Sequence, residues 1–442
     1  MLARSIAYLY KLRKNLRLKT SELQRIQEKK LKAILNHAYQ NVPFYRKKFK
    51  TIGIKVDDVK SLDDLTKIPI TTKAEIQENI QEFCARNVDL SKCEKTTTSG
   101  STGIPLTVFA DRKAIDVQNA VYVRTLFQTG WRFSDKTLIV TDPRHFPRKK
   151  HLYQKFGLLR EKHVSIFDDA EKQAAIIERY RPSVIKGYPS SLTLLAYAYK
   201  KKGLDLRPRL ILTTAELLDS TTRRLICSTF QTELFDNYGT TELPSLAFEC
   251  SEHSGYHINA DNVLIEFVDK DGEPVAPGER GNIVATGLVN HAMPLIRYSL
   301  GDVGVPAKEL CACGRTLPLM KALEGRADDF LSATDGRMIS PTIFFPYPFE
   351  SYIGIKQFRV TQDKIDKLTI QLAVDKDFID NSLVWNNARN EIQRVFGEGM
   401  SVEFHMVDKI SRDTSGKLRK VISRIHSSDG KLQRMRRNCL SF

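Results

Sequence analysis

Between Thr97 and Gly103 seven consecutive residues are threonine, serine or glycine, a run with little to pack and much exposed main chain. Glycines let such a loop turn until successive N–H groups face one anion, and hydroxyls add donors; this is the chemistry of holding a phosphate. The same composition also suits a solvent-exposed turn. It is not a Walker loop, because Ile104-Pro105-Leu106 follows where Gly-Lys-[Ser/Thr] would be required. Further on, Phe235-Asp236-Asn237-Tyr238-Gly239-Thr240-Thr241-Glu242 sets an aromatic ring beside a glycine turn, with a carboxylate after it. The ring can stack on a base, and the carboxylate can hold Mg2+ on phosphates. Arg297-Tyr298-Ser299-Leu300-Gly301-Asp302 offers a carboxylate suited to paired ribose hydroxyls. Arg412-Asp413-Thr414-Ser415-Gly416-Lys417 presents a lysine on a glycine turn, a mobile point charge able to reach a phosphate or carboxylate. Taken singly, each has a bland reading: a strand running into a loop, a hairpin turn, or a solvated lysine among 69 basic residues.

A metal site is a separate candidate. Cys311-Ala312-Cys313-Gly314 is a tight thiolate pair, and Cys250, His253 and His257 lie upstream. Two cysteines from one loop with a cysteine and a histidine from another can complete a four-ligand zinc set. Unligated thiols beside surface histidines are the alternative.

The elements that must position these groups follow from periodicity. A chain of 442 residues exceeds what one core usually organises, so two domains are expected. Residues 1 to 90 read as mostly helical, and Thr72 and Glu75 have capping-box spacing. From Thr137 short apolar runs alternate with amphipathic stretches. Strands are expected at Thr137–Thr141, His163–Phe167, Ser183–Lys186, Leu210–Thr213 and Thr232–Phe235, and helices at Ala170–Tyr180 and Ser190–Lys201. That alternation predicts an α/β domain with parallel-rich sheets flanked by helices. Val263 to Ile296 reads as a β-rich subdomain, with turns at Asp271-Gly272 and Pro277-Gly278. A small α+β unit follows, with strands at Phe358–Val360, Leu368–Val374 and Val402–Val407 and a helix at Leu383–Phe396.

The net charge is +17, which suits nucleotides, CoA, anionic lipid or nucleic acid without choosing among them. No zinc-finger spacing or RNA-binding aromatic motif accompanies it, so nucleic acid is not expected as a partner. Arg148, Lys149 and Lys150, and Arg434, Arg436 and Arg437, form local basic clusters. Leu2, Ile6, Leu9 and Leu16 recur at helical spacing between basic residues. A helix folded on its own domain is the preferred reading, and contact with a membrane surface the other. Neither a spanning segment nor a signal-peptide core is present, so a cytoplasmic protein with reduced thiols is expected.

In this order, the segments resemble the adenylate-forming superfamily of acyl-CoA synthetases, luciferases and peptide-synthetase adenylation domains. VPFYRKKF around Tyr45, IPITTKAEI at 68–76 and ECSEHSGYHINAD at 249–261 are similar to the phenylacetate-CoA ligase branch, which includes capsule-associated relatives. CACGRTLP at 311–318 and LEGRADDF at 323–330 carry the same resemblance, which runs from residue 35 to residue 425. It implies an N-terminal adenylate-forming domain over 1–327 and a small mobile C-terminal domain over 328–442. Thr97, Thr98, Ser99, Gly100, Ser101, Thr102 and Gly103 would then hold the ATP phosphates, with Thr98 in a catalytic position. Ala215-Glu216 and Asn237-Tyr238-Gly239-Thr240 would flank the adenine. Glu242 would ligate Mg2+, Asp302 would take the ribose hydroxyls with Arg326 close by, Asp328 would be the hinge, and Lys417 the catalytic lysine. Some members of the branch carry structural zinc, which here implies Cys250, His257, Cys311 and Cys313, with His253 in reserve.

Two departures stand out: the phosphate loop lacks the lysine many relatives place after it, and Thr213-Thr214-Ala215-Glu216 lacks the usual glycine. The implied reaction is ATP-dependent adenylation of a carboxylic acid followed by transfer to CoA. A non-CoA acceptor, giving an amide or nucleotidyl product in capsule or coenzyme metabolism, is the first alternative. A catalytically silent nucleotide-binding homologue is the second, which intact Glu242, Asp302 and Lys417 argue against. The acid activated and homodimer formation stay open at this stage.

Overall fold

The computed structural model describes residues 2–98, 105–147, 157–341, 355–374, 378, 382–413 and 416–425. Helices α1 (Leu2–Asn15), α2 (Thr20–Asn41), α3 (Pro43–Thr51) and α4 (Lys73–Glu78) open the chain. A hairpin of β1 (Glu94–Thr97) and β2 (Thr107–Ala110) leads into α5 (Arg112–Gln128). Then β3 (Lys136–Thr141), β4 (Arg160–Ser165), α6 (Ala170–Tyr180), β5 (Val184–Gly187), α7 (Pro189–Lys202), β6 (Leu210–Thr214), α8 (Ser220–Phe230) and β7 (Leu234–Tyr238) follow. Six strands come next: β8 (Ala247–Glu249), β9 (Tyr256–Ile258), β10 (Val263–Val268), β11 (Gly281–Gly287), β12 (Tyr298–Pro306) and β13 (Leu319–Arg326). The chain continues through β14 (Leu331–Ser332), β15 (Met338–Ile339), β16 (Ile355–Lys364), β17 (Lys367–Val374), α9 (Ser382–Phe396), β18 (Ser401–Val407) and β19 (Val421–Ser423).

These elements form two compact units. The first combines Met1–Gly130 with Asn237–Leu323, and the second Trp131–Asp236 with Glu324–Phe442.

In the first unit the leucine stripe of α1 meets α5: Leu9, Leu12 and Leu16 are buried, while Arg4, Lys11, Arg13 and Lys14 stay exposed. Leu9 and Leu16 of the helical repeat therefore serve this unit's own core, and the side chains of Leu2 and Ile6 lie outside the described residues. α4 starts at the expected capping box, where Thr72 Oγ1 accepts from the Glu75 N–H at 3.3 Å and Glu75 Oε2 accepts from the Thr72 N–H at 2.6 Å. β10, β11 and β12 pair antiparallel in sequence, as do β8 with β9 and β9 with β13. Arg297 sits buried among them at φ 45°, its guanidinium donating to Glu266 and to the carbonyls of Thr66, Ile68 and Gly272. It is spent on structure rather than presented to a ligand.

In the second unit β3 pairs parallel with β4 and β5, and β5 with β6. Apolar side chains of these strands, such as Leu138, Val140, Ile185 and Ile211, pack with Ile177, Leu192, Leu195 and Ile226 of α6, α7 and α8. Near-continuous apolar strands are what a sheet covered by helices requires. The same unit holds the C-terminal module. There β16 and β17 pair antiparallel, β18 joins β17 in parallel and β19 joins β16 in parallel. Trp385, Ile392 and Phe396 of α9 pack on Phe358, Val360, Leu368 and Ile370 of that sheet. No helix among the described residues is long and apolar enough to cross a membrane.

Candidate functional site

In the first unit β1 and β2 are zipped in register up to Thr97 opposite Thr107. Thr98 then closes the neck: its N–H donates to the Leu106 carbonyl at 2.8 Å, and its Oγ1 accepts from the Leu106 N–H at 2.8 Å. Thr97 and Thr107 add a hydroxyl pair at 3.2 Å. The hairpin thus fixes both ends of the hydroxyl-rich loop, which sequence alone had no means to reveal. Ser99, Gly100, Ser101, Thr102 and Gly103 lie outside the described residues.

The same unit sets two of the candidate carboxylates against tyrosine hydroxyls. Tyr238 Oη donates to Asp302 Oδ2 at 2.7 Å, and Tyr298 Oη donates to Glu242 Oε1 at 3.0 Å. Asp302 lies on β12 just after Gly301, whose φ of 72° favours a glycine, and is 8% exposed. Asn237 and Tyr238 pair with Phe248 and Ala247 of β8, which fixes the strand end before Gly239. A Cβ on Gly239 would lie 2.8 Å from the Ser245 nitrogen, so the turn admits no side chain. Thr240 Oγ1 accepts from the Leu243 N–H at 3.0 Å and closes the turn that carries Glu242. Tyr298 stands in the Arg297–Asp302 motif, but its hydrogen bond to Glu242 crosses 56 residues and could not be read from spacing.

In the second unit Ala215 follows β6 at φ 71°, the left-handed region. This is the segment where the resemblance leads one to expect glycine, and alanine there carries local strain of about 1 kcal/mol. The Glu216 carboxylate accepts from Ser190 N–H and Ser190 Oγ, both at 2.9 Å, and from the Leu418 N–H at 2.8 Å. Lys417 follows a tight turn. Asp413 N–H donates to the Lys417 carbonyl, Gly416 N–H to the Asp413 carbonyl, and Lys417 N–H to Asp413 Oδ1, each at 2.9 Å. Arg412 braces this turn, donating to the Gly416 carbonyl at 2.8 Å and to Ser190 Oγ at 2.9 Å. Arg326 ends β13 and precedes the short helical turn Ala327–Asp329, where the backbone of Asp328 lies. Ser190 and the pair Asp219 and Lys420 were not singled out in the sequence, and Arg412 entered only as the first residue of the Lys417 motif. In the structure Asp219 is the N-cap of α8.

The proposed metal ligands converge in the first unit. Cys250, His257, Cys311 and Cys313 place their ligand atoms all within 4.8 Å of one another. Cys250 Sγ is 3.6 Å from Cys311 Sγ, and His257 Nε2 is 3.4 Å from Cys250 Sγ and 3.3 Å from Cys313 Sγ. A tetrahedral zinc with Zn–S near 2.3 Å and Zn–N near 2.0 Å requires ligand-to-ligand edges of roughly 3.5–3.8 Å. These three edges lie at or slightly below that range, so the donor set is close to what a tetrahedral ion requires. Burial and the nearby Arg315 charge push the His257 imidazole down to about 4, so it is neutral and able to ligate at physiological pH. His253 turns away, with Nδ1 3.5 Å from Glu249 Oε2.

Comparison with known proteins decides the family. The AMP-binding enzyme family matches residues 28–292, more than half of the chain. The chain belongs to that family. It is an adenylate-forming enzyme, and the CapK C-terminal domain family matches residues 331–424. Among curated relatives, the phenylacetate-coenzyme A ligase of Thermus thermophilus is 30% identical over 320 residues, covering 70% of this chain and 72% of the relative. Protein CapK of Staphylococcus aureus is 23% identical over 422 residues, covering 92% of this chain and 90% of the relative. Among solved structures, 2-hydroxyisobutyryl-CoA ligase in the postadenylation state, in complex with R3-HIB-AMP, aligns with a TM-score of 0.76. It is 20% identical and covers 95% of this chain and 94% of that one, which establishes the shared fold.

Proposed function

We propose that the enzyme activates a carboxylic acid with ATP and passes the acyl group to CoA. The observation that carries this reading is the pair of tyrosine-anchored carboxylates, Asp302 and Glu242, set around the Tyr238-Gly239 turn of an AMP-binding fold. The relatives named as phenylacetate-coenzyme A ligases support the acceptor. An aryl or medium-chain acyl acid is the substrate class in this reading, and a cytoplasmic setting, where ATP and CoA are at hand, belongs to the same proposal.

In this mechanism Thr97, Thr98 and the loop through Gly103 hold the phosphates, and Asn237, Tyr238, Gly239 and Thr240, with Ala215 and Glu216, border the adenine. Asp302 accepts the ribose hydroxyls, with Arg326 near the nucleotide. Mg2+ held by Glu242 would neutralise charge on the phosphates. A carboxylate oxygen of the acid attacks the α-phosphorus in line and pyrophosphate leaves. Lys417 bridges ATP and carboxylate and stabilises the charge that spreads at that moment. The CoA thiolate then attacks the acyl carbonyl and AMP departs, so the protein need supply no nucleophile. Movement of the C-terminal domain (328–442) about Asp328 would withdraw Lys417 before the second step.

Pyrophosphate release from Mg-ATP, measured over aryl, fatty and amino acids with and without CoA, tests this directly. Release that depends on one acid and turns over with CoA is the expected result. Acid-dependent release that stalls with CoA and resumes with an amine or sugar favours a second reading. That reading has a non-CoA acceptor, and the match of residues 331–424 to the CapK C-terminal domain supports it.

We further propose that Cys250, His257, Cys311 and Cys313 hold one structural zinc. Four protein ligands leave no open position, so such an ion pins loops and does no catalysis. Metal analysis of the purified protein should give about one zinc per chain. Chelation should lower the melting temperature, and a metal-free protein of unchanged stability would remove the proposal.

A further inference from the structure

The Lys417 turn is held from outside by more groups than a solvated surface loop needs, all within the second unit. Glu216 takes the Leu418 N–H, the main-chain donor directly after Lys417, at 2.8 Å. Arg412 and Ser190 brace the other side of the turn. Two residues further on, Lys420 Nζ donates to Asp219 Oδ2 and Thr222 Oγ1, both at 2.9 Å, while lying 5.2 Å from the centre of the Phe358 ring. The side chains of Lys420 and Asp219 are 11% and 2% exposed, so this pair is shielded from salt and solvent. Asp219 is also the N-cap of α8, accepting from the Thr222 N–H at 2.8 Å, and so cannot swing away without uncapping that helix. Arg419, between these anchors, pairs with Asp329. Finally, Gly416 sits at φ 77° against Ile166, the residue after β4, where a Cβ would fall 1.8 Å from Ile166 Cδ1.

We propose that Glu216 and the Asp219–Lys420 pair form a positioning clamp that fixes the Lys417 turn for the adenylation step, resting on the reading of Lys417 given above. The clamp joins the segment 215–216 directly to residue 418. The groups that border the adenine in that reading thereby share a hydrogen bond with the turn that carries the lysine. Lys420 acts through the main chain around Lys417 and is a positioning residue, while Glu216, beside the adenine in that reading, holds the same turn through the Leu418 N–H.

Hydrogen–deuterium exchange and half-reaction kinetics on the full chain test this together. Lys420→Met keeps the stem over Phe358 and removes the charge, whereas Lys420→Arg keeps the charge. Exchange in residues 411–420 should accelerate about tenfold or more in Lys420→Met and stay near wild type in Lys420→Arg, the loss of one buried charged pair being the cause. Pyrophosphate release with the same acid should fall about tenfold in kcat, with little change in KM for ATP. Thioester formation from supplied acyl-adenylate should hold its rate. Unchanged exchange in Lys420→Met overturns the clamp. Faster exchange with undiminished pyrophosphate release, or equal loss in both half-reactions, overturns its positioning role. A wild-type protein that releases no pyrophosphate with any acid counts against the ligase reading alone, because the exchange result stands independently of it.

Discussion

Replacing Lys417 with alanine is expected to cut acyl-adenylate formation by about a hundred- to a thousandfold, the usual cost of deleting one preorganised group that meets developing charge. The turn that carries it should survive the change. Among the described residues, the hydrogen bonds of Lys417 run through main chain: the N–H to Asp413 Oδ1 and the carbonyl to the Asp413 N–H, both at 2.9 Å. Truncation beyond Cβ therefore removes the charge and leaves its mount. Single-turnover pyrophosphate release measures the loss, and an unchanged thermal midpoint shows the fold is retained. A variant that forms adenylate at the wild-type rate would end the assignment of Lys417. It would direct attention to Arg412, the other cation braced against this turn.

The parts of the fold legible in the sequence are those where local pattern and burial agree. The α6 stretch Ala170–Tyr180 reads correctly to the residue because it is amphipathic, with Ala174 and Ile177 facing the core. The strands of the second unit emerge from their apolar runs, although β4 begins three residues before the expected His163 and carries charged, exposed positions at its start. β1, β8, β9 and β19 left no comparable signal. β1 is exposed along its whole length, and β8, β9 and β19 are three residues each, too short to show a period. The site divides in the same way. Lys417, Glu242, Asp302 and the cysteine pair stand in local motifs, whereas the bonds of Tyr298 to Glu242, Tyr238 to Asp302, Ser190 to Glu216 and Lys420 to Asp219 join distant sequence. The choice between His253 and His257 needed three dimensions. Only the backbone of the β8–β9 turn decides which imidazole faces Cys250 and Cys313, with His253 directed to Glu249 instead.

Substituting Asp261 by asparagine is expected to destabilise the first unit by about 3–5 kcal/mol, the cost of leaving a buried partner charge uncompensated. That partner is Arg124, and both side chains are fully buried. Arg124 Nη1 and Nη2 donate to the two Asp261 oxygens at 2.7 and 2.8 Å, a bidentate pair. The same guanidinium donates to the Leu12 carbonyl and to Asn259 Oδ1, each at 2.8 Å. Asn15 Nδ2 reaches Asp261 Oδ2 at 2.7 Å, and Lys30 donates to the Asp261 carbonyl. One residue thus ties α1 and α5 through its carboxylate and α2 through its carbonyl to the turn before β10. Although burial alone would raise the Asp261 carboxyl, Arg124, Asn15 and Lys30 outweigh it and hold it below the ordinary carboxylate range. The stability this contributes is therefore fully present above the unfolded-state carboxylate range and is lost as pH falls through the lower folded-state value. Urea midpoints of Asp261→Asn, Arg124→Met and the double variant give the coupling between the two side chains. The double variant should recover part of the single-variant loss, because it leaves neither charge stranded. A single variant that loses less than about 1 kcal/mol would place the pair among the surface-like ion pairs and contradict its burial.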